Sequence, residues 1–268
     1  MPFIKVNDID VYYEISGSGP RLLFINGTGG DLRKKPNIFD LPFAKHFTVL
    51  AFDQRGLGQT SKPNEQYSMQ GYANDAVALM KKLGWEKAHV MGVSFGGMVA
   101  QELAINYPEI VDKLILACTS AGGKGGESYP LHEISSLSME KKAKKVIAIS
   151  DIRMDKQWAK QNTAQYEQVF NRVMDGFRIG AGEPGRELGS KLQLEARKSH
   201  NAFSRLPSIK SKAFIAGGEY DGICCIANIK AINNEIKNSS LKLYPYGHLF
   251  FMQSNDYWKD VHHFLMED

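Results

Sequence analysis

Short apolar runs alternate with longer stretches of helical period along most of this 268-residue chain, and that alternation constrains the fold more than any other feature. The runs are "RLLFI", "FTVLAF", "AHVMGV", "KLILA", "AFIAGG" and "LKLY". A strand that is apolar at nearly every position has to be covered on both faces. Such strands, separated by helices, lie parallel, with the helices crossing back over the sheet. The first segment, "FIKVNDIDVYYEISGSG", differs: β-branched and aromatic residues flank a turn-like Asn-Asp, which reads as an antiparallel hairpin. The expected fold class is therefore α/β: a mostly parallel sheet of about eight strands with an N-terminal antiparallel hairpin and helices on both faces.

The helices are read from their period and stops. "SMQGYANDAVALMKKLGW" carries apolar residues at helical spacing and ends at Leu-Gly. "FGGMVAQELAINYP" is stopped by Pro108, and "IANIKAINNEIK" and "DYWKDVHHFLME" come late in the chain. "DLRKKPNIFDLPFAKH" is a broken helical segment. From 121 to 206 no buried strand is evident, and the segment is read as a helical insertion, or lid. The core is then residues 1–120 together with 207–268, and the lid is residues 121–206.

Composition narrows the function class. Hydrophobic residues make up 43% and charged residues 23%, which suits a large core and excludes a disordered chain. The net charge of +4 comes from basic residues dispersed among acidic ones, and "MEKKAKKVIAI" reads as the wet face of an amphipathic helix, so no nucleic-acid partner is expected. Cys118, Cys224 and Cys225 are odd in number, two of them adjacent, so no disulfide framework is expected. No metal-ligand spacing, signal core or apolar stretch of about 18 residues appears. These readings predict a cytoplasmic protein, monomer or homodimer, with no membrane partner, no metal and no cofactor.

One turn carries chemistry. "VMGVSFGG" runs from a strand through Gly92-Val93-Ser94-Phe95-Gly96 into a helix. In that setting the turn is tight enough to force a strained serine and to lift its hydroxyl out of the sheet edge. Gly92 and Gly96 are then required where strand and helix cross. A serine needs a base. Of seven histidines, only His248 follows a strand and a glycine and precedes a loop and helix. The base needs a carboxylate to orient it. Asp221 ends the run "AFIAGGEY", with Glu219 as the second candidate. The order Ser94, Asp221, His248 is the one such a sheet produces. An oxyanion hole is expected from the backbone N–H of Phe95 and a second N–H in "NGTGGD", at Thr28 with Gly29 as the alternative. Asp53 and Arg55 in "DQRGLGQTSKP" are read as a charged pair bracing a glycine-rich turn.

Over essentially its whole length the chain resembles the α/β-hydrolase superfamily. "FINGTGG", "FDQRGLGQTSKP", "VMGVSFGGMVAQELAINYPEIVDKLIL", "GGEYD" and "YGH" carry the resemblance, which is strongest to the small carboxylesterase and 3-oxoadipate enol-lactonase-like group. Asn26-Gly27 stands where many members have His-Gly, and "DGICCIA" lacks the proline that many members carry after the acid; Cys224 and Cys225 are read as packing residues there. The resemblance implies a triad of Ser94, Asp221 and His248 and a lid over it. It implies a serine hydrolase acting on a small carboxylic ester or lactone through an acyl-enzyme. The same triad can serve perhydrolysis, acyl transfer, C–C hydrolysis or cofactor-free oxygenation. A slow-turnover ligand-binding signalling protein is the reading from another class. Arg172, Arg178 or lysines of the insertion are candidates to meet a substrate carboxylate, with no basis for choosing among them.

Overall fold

In the computed structural model, which describes residues 2–267, one eight-stranded sheet organises the chain. Its strands are β1 (Phe3–Val6), β2 (Ile9–Ser16), β3 (Arg21–Ile25), β4 (Thr48–Phe52), β5 (Ala88–Val93), β6 (Val111–Ala117), β7 (Lys212–Gly218) and β8 (Ser239–Tyr244). The spatial order is β1-β2-β4-β3-β5-β6-β7-β8. The β1–β2 and β2–β4 pairings are antiparallel and all others are parallel, as the sequence pattern predicts. After β3 the chain steps outward to β4, then returns to place β5 on the other side of β3. That reversal opens a crevice beyond the C-terminal ends of β3 and β5, the place where open α/β sheets bind ligands.

Eight helices complete the framework: α1 (Met69–Lys82), α2 (Phe95–Asn106), α3 (Met139–Ser150), α4 (Lys156–Gln161), α5 (Thr163–Arg178), α6 (Arg186–Lys198), α7 (Ile226–Glu235) and α8 (Asn255–Met266). The strand period of two sorts the core into two layers. Leu23, Ile25, Leu50, Val90, Leu114, Leu116 and Ile215 pack with α1, α2 and α7 on one face. Leu22, Phe24, Val49, Met91, Ile115, Ala117 and Phe214 pack with α8 and the 3-10 turn Pro42–His46 on the other. Alternate residues of each central strand are thus buried on opposite faces, which is why these runs are continuously apolar in sequence. α1 starts where Ser68 caps the N–H of Gly71, and α8 where Ser254 caps Tyr257.

Helices α3 to α6 all lie between β6 and β7. α4 and α5 are separate helices because Asn162 (φ −126°, ψ 46°) breaks the helical backbone between them. "DLRKKPNIFDLPFAKH" forms two short 3-10 turns (Ile38–Asp40 and Pro42–His46) rather than a helix, since Pro36 and Pro42 withhold donors and Asn37 caps the first turn with its side chain. Among the described residues no helix is long and apolar enough to cross a membrane.

Candidate active site

The turn after β5 is forced by close packing. A Cβ on Gly92 would lie 2.2 Å from the carbonyl oxygen of Gly96, and one on Gly96 would lie 2.0 Å from that of Ile25. Neither contact can relax without moving backbone, so β5, α2 and the end of β3 cross with only hydrogen atoms between them. Ser94, caught in this crossing, has φ 54° and ψ −118°, a conformation that costs an ordinary residue about 1–3 kcal/mol. Its backbone is over-determined: Ser94 N–H donates to the carbonyl of Ala117 at 2.8 Å, and the hydroxyl of Thr119 donates to the Ser94 carbonyl at 2.8 Å.

Three side chains converge there from three strand ends. The Ser94 Oγ lies 3.0 Å from His248 Nε2, and His248 Nδ1 lies 2.7 Å from Asp221 Oδ2. The other Asp221 oxygen accepts the N–H groups of Ile223 (2.7 Å) and Cys224 (2.9 Å). Both carboxylate oxygens are therefore engaged, and the ring of His248 is held by Asp221 on one side and meets Ser94 on the other. Glu219, the second candidate acid, is exposed on the turn and makes no contact with His248. Ser94 and His248 are each only 7% exposed.

The loop after β3 runs against this serine. A Cβ on Gly27 would sit 3.3 Å from Ser94 Cβ, so the loop passes at van der Waals distance. The backbone N–H of Thr28 makes no hydrogen bond with any described residue, and neither does that of Phe95, the first residue of α2. Both candidate oxyanion donors are thus free. Gly29, the alternative, is not: its N–H donates to Gln193 Oε1 at 2.9 Å, and its carbonyl accepts from Lys34 Nζ at 2.7 Å. Sequence reasoning missed both of these side chains. Lys34 is a charged residue in a loop, indistinguishable there from its neighbours. Gln193 leaves a faint trace, as a polar residue on the stripe of α6 formed by Gly189, Gln193 and Arg197, all buried. Burial, with Arg186 adding repulsion, lowers the Lys34 ammonium to a pKa of about 8.

The braces beneath the loop differ from expectation. Asp53 and Arg55 do not pair with each other. Asp53 Oδ1 accepts the N–H of Leu32 and Oδ2 that of Gln59, each at 2.8 Å, and burial raises its pKa to about 6. Arg55 instead pairs with Asp75 (2.8 Å), Asp8 (2.7 Å) and Glu65 (2.5 Å). Asp53 braces the glycine-rich turn together with Lys62, whose Nζ donates to the carbonyls of Gly58 and Thr60, while Arg55 lies inside the turn that begins at Gln54 and meets other partners. Cys224 is buried as expected, and burial pushes its thiol well up, whereas Cys225 is exposed at the start of α7.

The segment between β6 and β7 reaches the site at two places. On one side the carbonyl of Ser150 accepts the N–H of His248, that of Ile149 accepts from Gly222, and the N–H of Ile152 donates to Tyr220. On the other, Gln193 grips the oxyanion-side loop, and a Cβ on Gly189 would lie 2.0 Å from the Gly56 carbonyl oxygen. Arg172 and Arg178 are exposed, and Arg178 pairs with Asp175 within its own helix. Among the described residues no group of three or more His, Cys, Asp or Glu is placed to hold a metal.

This arrangement has relatives. An uncharacterized protein of Mycobacterium bovis is 37% identical over 182 residues, covering 68% of this chain and 49% of that protein. The chain thus spans about half the length of that relative. A poly(3-hydroxyalkanoate) depolymerase of Ectopseudomonas oleovorans is 27% identical, over 86% of this chain and 78% of the relative. Among solved structures, an enol-lactonase from Burkholderia xenovorans superimposes with a TM-score of 0.82 at 22% identity, over 99% of this chain and 100% of that one. Residues 20–174, more than half of the sequence and spanning both β3 and the turn at Ser94, match the alpha/beta hydrolase fold family. The chain belongs to the alpha/beta hydrolase fold family.

Proposed function

We propose that the protein is a serine hydrolase that cleaves a small carboxylic ester or lactone through an acyl-enzyme. The observation that carries this reading is the unbroken relay from Asp221 through His248 to Ser94 (2.7 and 3.0 Å), facing two unused backbone N–H groups. In this mechanism Ser94 Oγ attacks the carbonyl carbon and its proton passes to His248 Nε2. Asp221 fixes the tautomer of His248 and stabilises the imidazolium that forms. The carbonyl oxygen becomes an oxyanion held by the N–H groups of Thr28 and Phe95, with the N-terminus of α2 behind it. His248 returns the proton to the departing alcohol oxygen, which in a lactone stays attached to the acyl chain. Water then attacks the acyl-enzyme, giving its proton to His248, and Ser94 is regenerated as the carboxylic acid leaves.

In the same proposal residues 121–206 act as a cap. Residues 149–152 tie it to the His248 loop and Gln193 ties it to the Gly29 peptide, so it approaches Ser94 from two sides. The segment farthest from these ties is the most exposed, with no buried residue in α4 and only Met174 in α5. Admission of substrate then falls to this part of the cap.

The test is hydrolysis of p-nitrophenyl acetate together with labelling by a fluorophosphonate probe. The wild-type protein should release p-nitrophenol and become labelled at Ser94. Ser94→Ala should lose both signals, with turnover falling by about 10⁴-fold or more. Wild-type-like turnover by Ser94→Ala would sink the assignment.

A further inference from the structure

Arg197 presents an unusual problem. It lies on the buried stripe of α6 and is only 6% exposed. Its Nη1 donates to the carbonyl of Tyr129 at 2.8 Å. Its Nε and Nη2 are sealed from solvent and meet no hydrogen-bond partner. Among the described residues no carboxylate pairs with it, and burial depresses its pKa below the usual guanidinium value. A charge left in the interior without an opposite partner is strongly destabilising. Arg197 holds that unfavourable state in the folded protein.

The free atoms are not scattered. Nε and Nη2 form one edge of the guanidinium, the two-pronged fork that matches the two oxygens of a carboxylate. Arg197 lines a narrow cleft together with Met98, Ser120, Glu127, Lys198 and His200. Within it the Ser120 hydroxyl and both ring nitrogens of His200 are also buried without partners. The neighbouring Gln101 spends its Nε2 on the Ser120 carbonyl at 3.1 Å, which fixes the backbone that carries the hydroxyl. Five unpartnered buried polar atoms thus belong to residues lining a cleft whose buried charge is a planar cation, with the acidic Glu127 and the basic Lys198 both exposed on its lining.

The cleft is close to Ser94 but does not include it. Met98 lies one turn of α2 beyond Ser94, about 6 Å along the axis at 1.5 Å per residue. Ser120 follows three residues after Ala117, whose carbonyl holds the Ser94 N–H.

We propose that the Nε–Nη2 edge of Arg197 and the hydroxyl of Ser120 form a carboxylate-binding site, at a cleft whose lining includes Met98, one helical turn along α2 from Ser94. A singly charged planar carboxylate satisfies the fork and leaves one oxygen lone pair for the Ser120 hydroxyl. A phosphate dianion fits less well, because the cleft's one buried cation is Arg197 and the exposed Lys198 and Glu127 on its lining offset each other. The carboxylate has two sources: the distal end of a substrate whose carbonyl sits at Ser94, or a separate small acid acting as an effector. The site stands on unpaired atoms and does not depend on the chemistry proposed for Ser94.

The experiment is thermal unfolding and calorimetric titration with sodium acetate, against sodium chloride at equal ionic strength and sodium phosphate. The proteins are the full-length wild type, Arg197→Met and Ser120→Ala. Acetate should raise the wild-type Tm in a saturable manner that chloride and phosphate do not reproduce. Arg197→Met should lose the acetate response and, freed of its unpaired charge, unfold in chloride at or above the wild-type Tm. A purely structural arginine would instead give a lower Tm. Ser120→Ala should weaken acetate binding by about 2- to 10-fold, the value of one hydrogen bond. This variant carries the test if Arg197→Met does not fold. Steady-state kinetics with p-nitrophenyl acetate then separates the sources. Competitive inhibition by acetate that Arg197→Met abolishes marks the substrate's own carboxylate; acetate binding that leaves KM unchanged marks an effector. Should no ester be hydrolysed, the reaction proposal fails while the titration still reads this site. No saturable acetate response in the wild type, the same response in Arg197→Met, or a preference for phosphate would overturn the proposal.

Discussion

Gln193→Leu isolates how the loop of the proposed oxyanion hole is positioned from outside the core. Gln193 Oε1 accepts the Gly29 N–H at 2.9 Å, next to the free N–H of Thr28. Leucine keeps the volume and removes the acceptor. Leaving the part-buried Gly29 N–H unpaired costs at most about 1–3 kcal/mol. Part of this is offset, because Gln193 Nε2 is itself buried without a partner and disappears in the variant. The net loss of stability should be about 1 kcal/mol, a fall in Tm of roughly 2–4 °C for a chain of this size. The catalytic effect should be larger. A deleted oxyanion donor costs about 10²–10³ in kcat, and a displaced one should cost a substantial part of that, about 10- to 100-fold. The interaction is made only as the oxyanion forms, so kcat and kcat/KM should fall together. Steady-state hydrolysis of p-nitrophenyl acetate near neutral pH reads this directly. Gln193→Glu, which keeps an acceptor oxygen at the same place, should recover most of the rate. A Gln193→Leu enzyme with a lowered Tm but a kcat within about twofold of wild type would refute the reasoning and reduce Gln193 to a packing residue.

Two further outcomes follow from buried groups and close crossings. Burial lowers the His200 pKa from 6.5 to about 4, so folding holds this ring neutral. The unfolded chain binds the proton more readily, so the stability that depends on neutral His200 is full above pH 6.5 and is lost as pH falls toward 4. The loss is about 3 kcal/mol across that window. Urea unfolding at a series of pH values should show a shallower acid dependence for His200→Gln than for wild type, and superimposable pH slopes would contradict it. Gly96→Ala would push a methyl to 2.0 Å from the Ile25 carbonyl, so α2 and the end of β3 must separate. Overpacking of this kind costs about 1–3 kcal/mol, and differential scanning calorimetry should record a Tm lower by about 5–10 °C. An unchanged Tm would mean that the crossing is looser than its geometry.

The sequence by itself determined the sheet. Strands buried on both faces have to be apolar at every position, and that pattern survives in a one-dimensional reading whatever the neighbours are. It also determined which residues stand near strand ends, because Ser94 follows an apolar run directly and Asp221 and His248 follow one within about four residues. Tertiary structure decided what those ends meet. Glu219 and Asp221 are two residues apart in one turn, and only the path of that turn puts Asp221 at His248 Nδ1 and leaves Glu219 in solvent. Asp53 and Arg55 look like a pair in sequence, yet the turn that begins at Gln54 sends each to different partners. Gln193 and Arg197 lie more than 160 residues from Gly29 and more than 60 from Tyr129, and hydrophobic patterning carries no information about where a buried polar atom finds its partner. Burial is a property of one residue and its period; hydrogen bonding at long range is a property of two, and only the folded chain brings the second one into reach.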